Sequence, residues 1–416
     1  MNLVKTSFYT SISTAITFIT GFVVTKVVAV AIGPQGMAYL GQFQNATAMF
    51  AIFGLAAINA GVIKYLAEYR GNVLQQQTVI SNAVNIVLIA SVLTSLIIIA
   101  FSGYLSNAVF HSPEFKIVFI LYAVFLLAIS LNTLSISILN GLQEIRKYTI
   151  VNICSSITGL LITVYFSYNY GLKGILLAAS FSSIFVLCIN LYFLRMLPGI
   201  SFRPDFKRWD KRIVRLFFGF SLMTVVSGFL APVVQMFIRD NIIRDISLDS
   251  AGHWQAVTKI SDYYLGFITT VLGVYYLPRL SELKLGTDLR KEVLNGYKLI
   301  LPVVGILAFV IFLCRSLIIR ILFTEAFAPM EPLFAWQLLG DFFKIGSWLL
   351  AFLMLSKAMT LMFILTEIGF SVLYLILSFA FMQRFGVIGA TYAFALNYAI
   401  YWVVIWLLMK KKLAKK

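Results

Sequence analysis

The stretch WQAVTKISDYYLGFITTVLGVYYLPR, residues 254–279, decides the fold class, because it is long and apolar enough to cross a bilayer yet carries two charges inside. A spanning helix needs about 20 mostly apolar residues. At about 100° per residue, Gln255, Lys259, Asp262 and Gly266 fall on one side of such a helix. Charges at that depth cost at least about 2.5 kcal/mol each unless they meet partners or water. The stretch therefore predicts a spanning helix with its polar face toward a water-filled cavity.

The composition is that of a polytopic membrane protein. Of the 416 residues, 61% are hydrophobic and only 12% are charged, whereas about 25% of a soluble domain is charged. The net charge of +17 needs no nucleic-acid partner, since Lys and Arg collect on the cytoplasmic side of membrane proteins. Two histidines and three cysteines give neither a metal-site pattern nor a disulfide framework, and no GxSxG motif occurs. We therefore predict no metal, no organic cofactor and no enzymatic activity.

Apolar runs of spanning length predict twelve transmembrane helices. A basic linker, residues 198–213, separates an N-terminal lobe of six helices, residues 1–197, from a C-terminal lobe of six helices and a basic tail, residues 214–416. Two lobes of nearly equal length suggest parallel repeats around a central cavity. The predicted spans are residues 6–32, 37–66, 78–102, 115–139, 149–168, 174–197, 214–238, 254–277, 299–323, 334–356, 359–382 and 387–409.

The distribution of basic residues predicts the orientation. Segments on the side of the N-terminus carry 23 of the 33 Lys and Arg residues, and those on the opposite side carry 7. The other three, Lys26, Lys259 and Lys344, lie inside predicted spans. Because basic residues collect in cytoplasmic segments, we expect both termini and the linker to be cytoplasmic.

Ionisable residues inside the spans are the candidate functional residues, because they are costly to bury in a membrane. Gln337, Asp341, Lys344 and Trp348 share one face of the tenth predicted helix, and Glu367 stands alone on the eleventh. Two structural alternatives stay open. The pairs Lys259–Asp262 and Asp341–Lys344, each spaced i,i+3, can neutralise themselves on their own helices. The long side chains of Lys26, Lys64 and Arg239 can reach the membrane surface.

Several blocks along the whole chain resemble the Wzx family of lipid-linked oligosaccharide flippases, in particular those that carry O-antigen or enterobacterial common antigen units. The helix-ten block FAWQLLGD, residues 334–341, followed by Lys344, is the most specific. The other blocks are GPQG at residues 33–36, KYLAEY at residues 64–69, and ISD at residues 260–262 with Tyr276-Leu277-Pro278. Lys259 and Gln44 depart from the family pattern, which has a small polar residue and an arginine there.

The resemblance implies the fold of the MOP superfamily and a multi-pass protein of the bacterial inner membrane. It implies alternating-access transport of undecaprenyl-diphosphate-linked oligosaccharide from the cytoplasmic to the periplasmic leaflet, driven by a proton gradient, a sodium gradient or the membrane potential. The implied partners are membrane lipids and the polymerase and chain-length regulator of the same pathway. By matching position, the resemblance implies charged functional residues at Lys26, Lys64, Arg239, Asp262, Asp341, Lys344, Lys357 and Glu367. Together with the polar helix faces, we expect the substrate-binding residues to be Lys26, Lys64, Arg239, Lys259, Gln337, Lys344 and Trp348, and the coupling or gating residues to be Asp262, Asp341 and Glu367.

Two other classes of function stay open. A multidrug exporter of the same superfamily would favour an acidic, aromatic cavity, whereas here the spans contain equal numbers of lysines and acidic residues, three of each. A membrane-embedded polysaccharide polymerase would carry a large periplasmic loop with catalytic residues, and the longest loop predicted on that side, residues 239–253, is short. We therefore favour the flippase.

Overall fold

The computed structural model describes the backbone of residues 3–197, 199–272, 276, 279–280, 283, 287–357 and 359–413. Side chains are described throughout these residues except at 3–11, 219–223, 227, 271, 287 and 411–413. All regular secondary structure in this part of the chain is helical. The end of the predicted span 254–277, with Leu277 and the following Pro278, lies outside the described residues.

The described chain forms a series of long helices with short connections. Short 3₁₀ helices occupy Pro113–Phe115, Phe206–Arg208 and Glu325–Met330. The α-helices are α1 (Leu3–Gly54), α2 (Asn59–Glu68), α3 (Val73–Ala100), α4 (Ser102–Phe110), α5 (Lys116–Gly141), α6 (Ile145–Arg195), α7 (Lys211–Asp245), α8 (Leu248–Val271), α9 (Thr287–Leu313), α10 (Arg315–Leu322), α11 (Leu333–Ser356), α12 (Thr360–Phe385) and α13 (Ile388–Leu413).

Two of these helices, α1 and α6, are each long enough for two membrane spans and are kinked between them. The kinks lie at Gly33 (φ 61°) and Gly171 (φ 55°). Glycine adopts this left-handed backbone without the steric cost that a Cβ would add. The predicted turns after residue 32 and residue 168 are thus sharp kinks rather than loops.

Among the described residues, eight helical segments are long and apolar enough to cross a membrane. They include both kinked helices. The more polar α7 and α8, with Arg239 and the Lys259–Asp262 pair, are not among the eight but have spanning length. The twelve predicted spans therefore lie mainly on ten long helices of the described chain, and the short helices α2 and α10 hold the ends of the predicted spans 37–66 and 299–323.

Three predicted boundaries are wrong. The predicted span 299–323 is two helices, because α9 begins earlier, at Thr287, and ends at Leu313, before α10 begins at Arg315. The predicted span 37–66 is interrupted after Gly54, because Ala56 and Ala57 have left-handed backbone with φ of 51° and 52°. The predicted loop 239–253 is mostly helical, since α7 continues to Asp245 and α8 begins at Leu248. Charged residues there pair along the helix, as Arg244 does with Asp240 at 3.1 Å, and the Ser247 side chain caps α8 by accepting a bond from the amide of Ser250.

The chain groups into two compact units. The first comprises Met1–Ile32 and Gln42–Pro232, and the second comprises Gly33–Gly41 and Val233–Lys416. The first unit has an apolar core around Leu66, Ile80, Ile138 and Phe217, and the second has cores around Leu349 and Ile405 and around Ile238 and Trp254. The division of the chain into two lobes at the linker, residues 198–213, remains a prediction, which this grouping does not test.

Candidate functional site

The centre of the candidate site is the fully buried carboxylate of Asp341 on α11, in the second unit. Its Oδ2 accepts hydrogen bonds from the Ser261 hydroxyl at 2.6 Å and from the Tyr264 hydroxyl at 2.7 Å. Its Oδ1 accepts a longer bond of 3.3 Å from the Gln337 amide. Neutral donors from two helices therefore satisfy this buried acid, and the bonds from α8 tie that helix to α11.

Lys344 lies one turn further along α11, among aromatic rings. Its Nζ lies 4.9 Å from the ring centroid of Trp348, 5.6 Å from that of Tyr398 and 5.8 Å from that of Phe394. Such distances permit cation–π attraction, which strengthens when water is excluded. The charge of Lys344 also acts electrostatically on the carboxylates of Asp262, Asp341 and Glu367.

Small residues allow α13 to pack closely against α11 beside Lys344. A Cβ placed on Gly340 would overlap the Phe394 ring, and a Cβ on Gly346 would lie 2.8 Å from the indole of Trp402. Small residues at helix interfaces allow membrane helices to approach closely. The glycines of α11 therefore let α13 pack near enough for its aromatic side chains to surround the ammonium group.

The Lys259–Asp262 pair on α8 is not a contact ion pair. The Nζ of Lys259 lies 5.6 Å from the Tyr263 ring centroid, and the Asp262 side chain is exposed. Lys344, Lys259 and Arg239 all act electrostatically on Asp262. Among the ion pairs of the described residues, neither Lys259–Asp262 nor Asp341–Lys344 is present within 4.0 Å. Each charge therefore acts within a shared field of several helices.

Arg239 is fully buried on α7, so the interpretation that it reaches the membrane surface is wrong. Its Nη2 donates a short hydrogen bond to Oε1 of Gln255, and its guanidinium lies 5.3 Å from the Trp254 ring centroid. Gly41 leaves room for this arrangement, because a Cβ there would lie 2.9 Å from the guanidinium carbon. Hydrogen bonding and ring contact thus compensate the burial of this cation.

Glu367 on α12, which has no cation one turn away on its own helix, meets a neighbouring helix instead. Its Oε1 accepts a 2.9 Å hydrogen bond from the hydroxyl of Tyr401 on α13. The same tyrosine ring packs 4.4 Å from the ring of Phe370. The acid is therefore held at a fixed position within electrostatic range of Lys344.

Lys26 and Lys64, also predicted site residues, belong to the first unit rather than to this cluster. Lys26 is half-buried. Lys64 is exposed, as expected for a side chain that reaches the surface, and its Nζ lies 5.0 Å from the Tyr65 ring centroid. In the second unit the structure gathers the other eight predicted site residues, namely Arg239, Lys259, Asp262, Gln337, Asp341, Lys344, Trp348 and Glu367.

Several side chains of the cluster were not predicted from the sequence. Ser261 and Tyr264 are hydrogen-bond donors to Asp341, while Tyr398 and Tyr401 contact Lys344 and Glu367. The spacing of Phe394, Tyr398 and Tyr401 along α13 is a helical stripe that could have indicated a shared face. In the described part of the chain, no group of three or more His, Cys, Asp or Glu residues could hold a metal ion.

Comparison with known proteins identifies one matching family model and similar full-length proteins. A family model described as polysaccharide biosynthesis protein matches residues 3–284. The lipid III flippase of Escherichia coli (strain K12) is 30% identical over 405 residues, which cover 96% of each chain. The putative O-antigen transporter of Shigella flexneri is 23% identical over 419 residues, which cover 95% of each chain.

Two solved structures share the fold. An inward-facing multidrug resistance MATE family transporter of the MOP superfamily has a TM-score of 0.78 at 14% identity, covering 95% of this chain and 94% of that one. The lipid II flippase MurJ in its inward closed conformation has a TM-score of 0.74 at 17% identity, covering 98% of this chain and 87% of that one. These likenesses confirm the predicted all-α, MOP-type fold of a multi-pass membrane protein, and at such identities they show the fold alone.

Proposed function

We propose that this chain, which belongs to the family of polysaccharide biosynthesis proteins, is a flippase for lipid-linked oligosaccharides. The substrate class is undecaprenyl diphosphate carrying an O-antigen or enterobacterial common antigen repeat unit. The protein moves this lipid by alternating access from the cytoplasmic to the periplasmic leaflet of the bacterial inner membrane. The full-length relative named as a lipid III flippase supports this proposal.

The site offers what a diphosphate and a sugar chain need in order to cross the membrane. A diphosphate and a sugar chain cannot cross about 30 Å of hydrocarbon without compensation for their lost hydration. The proposal rests on the surroundings of Lys344. This cation is in contact with three aromatic rings and forms no ion pair within the described chain. A diphosphate can offer it charge-assisted hydrogen bonds. Aromatic rings beside it, such as Trp348, can stack on sugars.

The surroundings of the site residues support a proposed role for each of them. Lys344 and Lys259 contact the diphosphate, while Gln337 and Trp348 contact the polar part of the substrate. Arg239, Lys26 and Lys64 contribute positive charge along the route. Asp262, Asp341 and Glu367 lie within the field of Lys344 and serve coupling or gating. A proton gradient, a sodium gradient or the membrane potential drives the transport.

The setting of the protein is part of the proposal. Both termini and the linker face the cytoplasm, because the charge distribution of 23 against 7 basic residues favours that side. The protein acts as a transporter and not as an enzyme, and the polymerase and chain-length regulator of the same pathway act next on its product.

Complementation tests the function in the cell. We expect expression of this chain to restore surface glycan in a strain that lacks its own flippase and accumulates the lipid-linked unit. A matched variant, Lys344→Ala, is expressed at the same level and should not restore it. Restoration by neither chain, with both present in the membrane, would contradict the proposal for that glycan class, and a panel of strains with different repeat units extends the test.

A further inference from the structure

The linker between α6 and α7 is bound to the surface of α3 by three side-chain amides, each of which both donates to and accepts from the linker backbone. Gln77 donates to the carbonyl of Ser201 at 2.9 Å and accepts from its amide at 2.7 Å. Asn85 does the same with Asp205, at 2.8 and 3.1 Å. Asn82 donates to the carbonyl of Arg208 at 2.9 Å and accepts from the amide of Asp210 at 3.0 Å.

These contacts fix the linker in place. The three amide side chains are buried, and Asn82 and Asn85 are fully so. A buried amide that loses its partners is costly, so the linker and α3 hold each other in one arrangement. We call residues 199–212 with this attachment the docked linker.

The docked linker lies where the spans end. It joins the end of α6, at Arg195, to the start of α7, at Lys211, and it contacts the first turns of α3, which begins at Val73. Because three spanning helices end or begin here, we place the docked linker at the boundary between hydrocarbon and water.

The docked linker carries both basic and exposed apolar side chains. Residues 203–215 carry six basic and two acidic side chains. The acids are engaged, since Asp205 pairs with Arg208 and Asp210 pairs with Arg212, each at 3.1 Å. The hydrogen bonds from Arg212 hold the pKa of Asp210 below its usual value, so this pair stays charged. No carboxylate of the described residues pairs with Arg203 or Lys207 within 4.0 Å.

Exposed apolar side chains accompany these cations. Phe206 is 58% exposed, Trp209 is 42% exposed, and Leu74 on α3 is 76% exposed. A cleft of about 510 Å³ lies between the docked linker and α3, with Arg203 and Arg208 on one wall and Val73 and Leu74 on the other.

We propose that this cleft and the docked linker bind an anionic phospholipid of the surrounding membrane, with its phosphate at Arg203 in the cleft and at Lys207 on the docked linker outside the cleft, and its acyl chain along Val73 and Leu74. Clusters of basic side chains beside spanning helices attract anionic lipids. Aromatic rings such as Phe206 and Trp209 are favoured at the headgroup level. The site is independent of the cluster around Lys344, so it stands whether or not the proposed transport substrate is correct.

The test measures phospholipid binding to the full chain in detergent, by native mass spectrometry, with phosphatidylglycerol and phosphatidylcholine in equal amounts. We expect a preference for phosphatidylglycerol that Arg203→Gln with Lys207→Gln weakens about tenfold or more, since each basic residue near a surface contributes to such attraction. The matched control, Arg290→Gln with Lys291→Gln on the exposed start of α9, removes the same charge and should change the affinity less than twofold.

A second variant separates a built site from diffuse attraction. Asn85→Leu leaves the charge unchanged but removes the bonds to Asp205, so it should weaken phosphatidylglycerol binding severalfold while the protein keeps its elution profile on size-exclusion chromatography. Equal losses in the two charge variants would overturn the proposal in favour of general charge attraction. We expect inorganic phosphate to bind much more weakly than phosphatidylglycerol, because it lacks the acyl chain that contacts Val73 and Leu74, and binding of inorganic phosphate with equal affinity would overturn the phospholipid as ligand.

Discussion

The hydroxyl of Tyr264 on α8 lies 2.7 Å from the carboxylate of Asp341 on α11. This bond joins two spanning helices at a fully buried acid, in an environment where an unsatisfied charged group is costly. Lys344, one turn away, is surrounded by rings instead of by that acid. The second unit therefore keeps an anion and a cation apart, each with its own neutral partners.

Removing the Tyr264 hydroxyl tests how much this bond stabilises the fold. We expect Tyr264→Phe to lower the free energy of unfolding by about 1–3 kcal/mol, because hydrogen bonds to charged, buried groups are among the stronger ones. Tyr392→Phe is the control, since its ring packs against Trp336 and Phe385 and its hydroxyl makes no hydrogen bond among the described residues. Denaturant unfolding in detergent measures both variants, and equal small effects would count against the bond.

Substitution of Lys344 tests the substrate contact. We expect Lys344→Ala to reduce transport at least tenfold, because a charge-assisted bond to phosphate contributes about 1.5–3 kcal/mol. Lys344→Arg keeps the charge and should retain part of the activity. Lys291→Ala, an exposed lysine on α9, should leave transport unchanged. Complementation at matched membrane levels is the measurement, and full activity of the Ala variant would refute the contact.

The close approach of α8 to the kink of α1 predicts a strong effect at Gly252. A Cβ there would overlap the carbonyl oxygen of Pro34, which is backbone and cannot move aside. We expect Gly252→Ala to destabilise the protein by about 1–3 kcal/mol or more, as overpacking does. Gly369→Ala is the matched control, because a Cβ on that helical glycine meets nothing within 4 Å. Thermal unfolding of the purified variants measures both, and a stable Gly252→Ala protein would show that the two helices separate easily.

Asp262 is the predicted link between substrate and driving force, because it is exposed and lies within the fields of Lys344, Lys259 and Arg239. A diphosphate that binds these cations would leave Asp262 with less compensating charge, so protonation would be linked to occupancy. We expect Asp262→Asn, which resembles the protonated form, to bind substrate but lose dependence on a pH gradient. Unchanged pH dependence of transport would rule this link out. If the variant fails to accumulate and Lys259→Met restores it, the pair is structural.

Much of the fold was predictable from the sequence, because the length of apolar runs is a strong signal in membrane proteins. The spans of α11, α12 and α13 were predicted to within a few residues. The break after Gly54 was missed, since Ala56 and Ala57 carry no sequence signal for left-handed backbone.

The site was only partly predictable. Periodicity grouped Asp341 with Lys344 on one face, but it could not show that Asp341 is satisfied from α8. Nor could it show that rings from α13 surround Lys344. Such contacts depend on which helices are neighbours. The distance of Arg239 from the end of its predicted helix allowed a surface position, whereas Gln255 and Trp254 hold it in the interior.

Transport by the purified protein shows whether the chain moves a lipid-linked oligosaccharide between leaflets. The full chain is reconstituted into vesicles with a fluorescent undecaprenyl-diphosphate-linked oligosaccharide, and movement between leaflets is read from the label that an added reagent can quench. We predict translocation of this lipid above the rate of protein-free vesicles, loss of that activity in Lys344→Ala, and no transport of an organic cation in parallel vesicles. Transport of the cation without movement of the lipid would contradict the account.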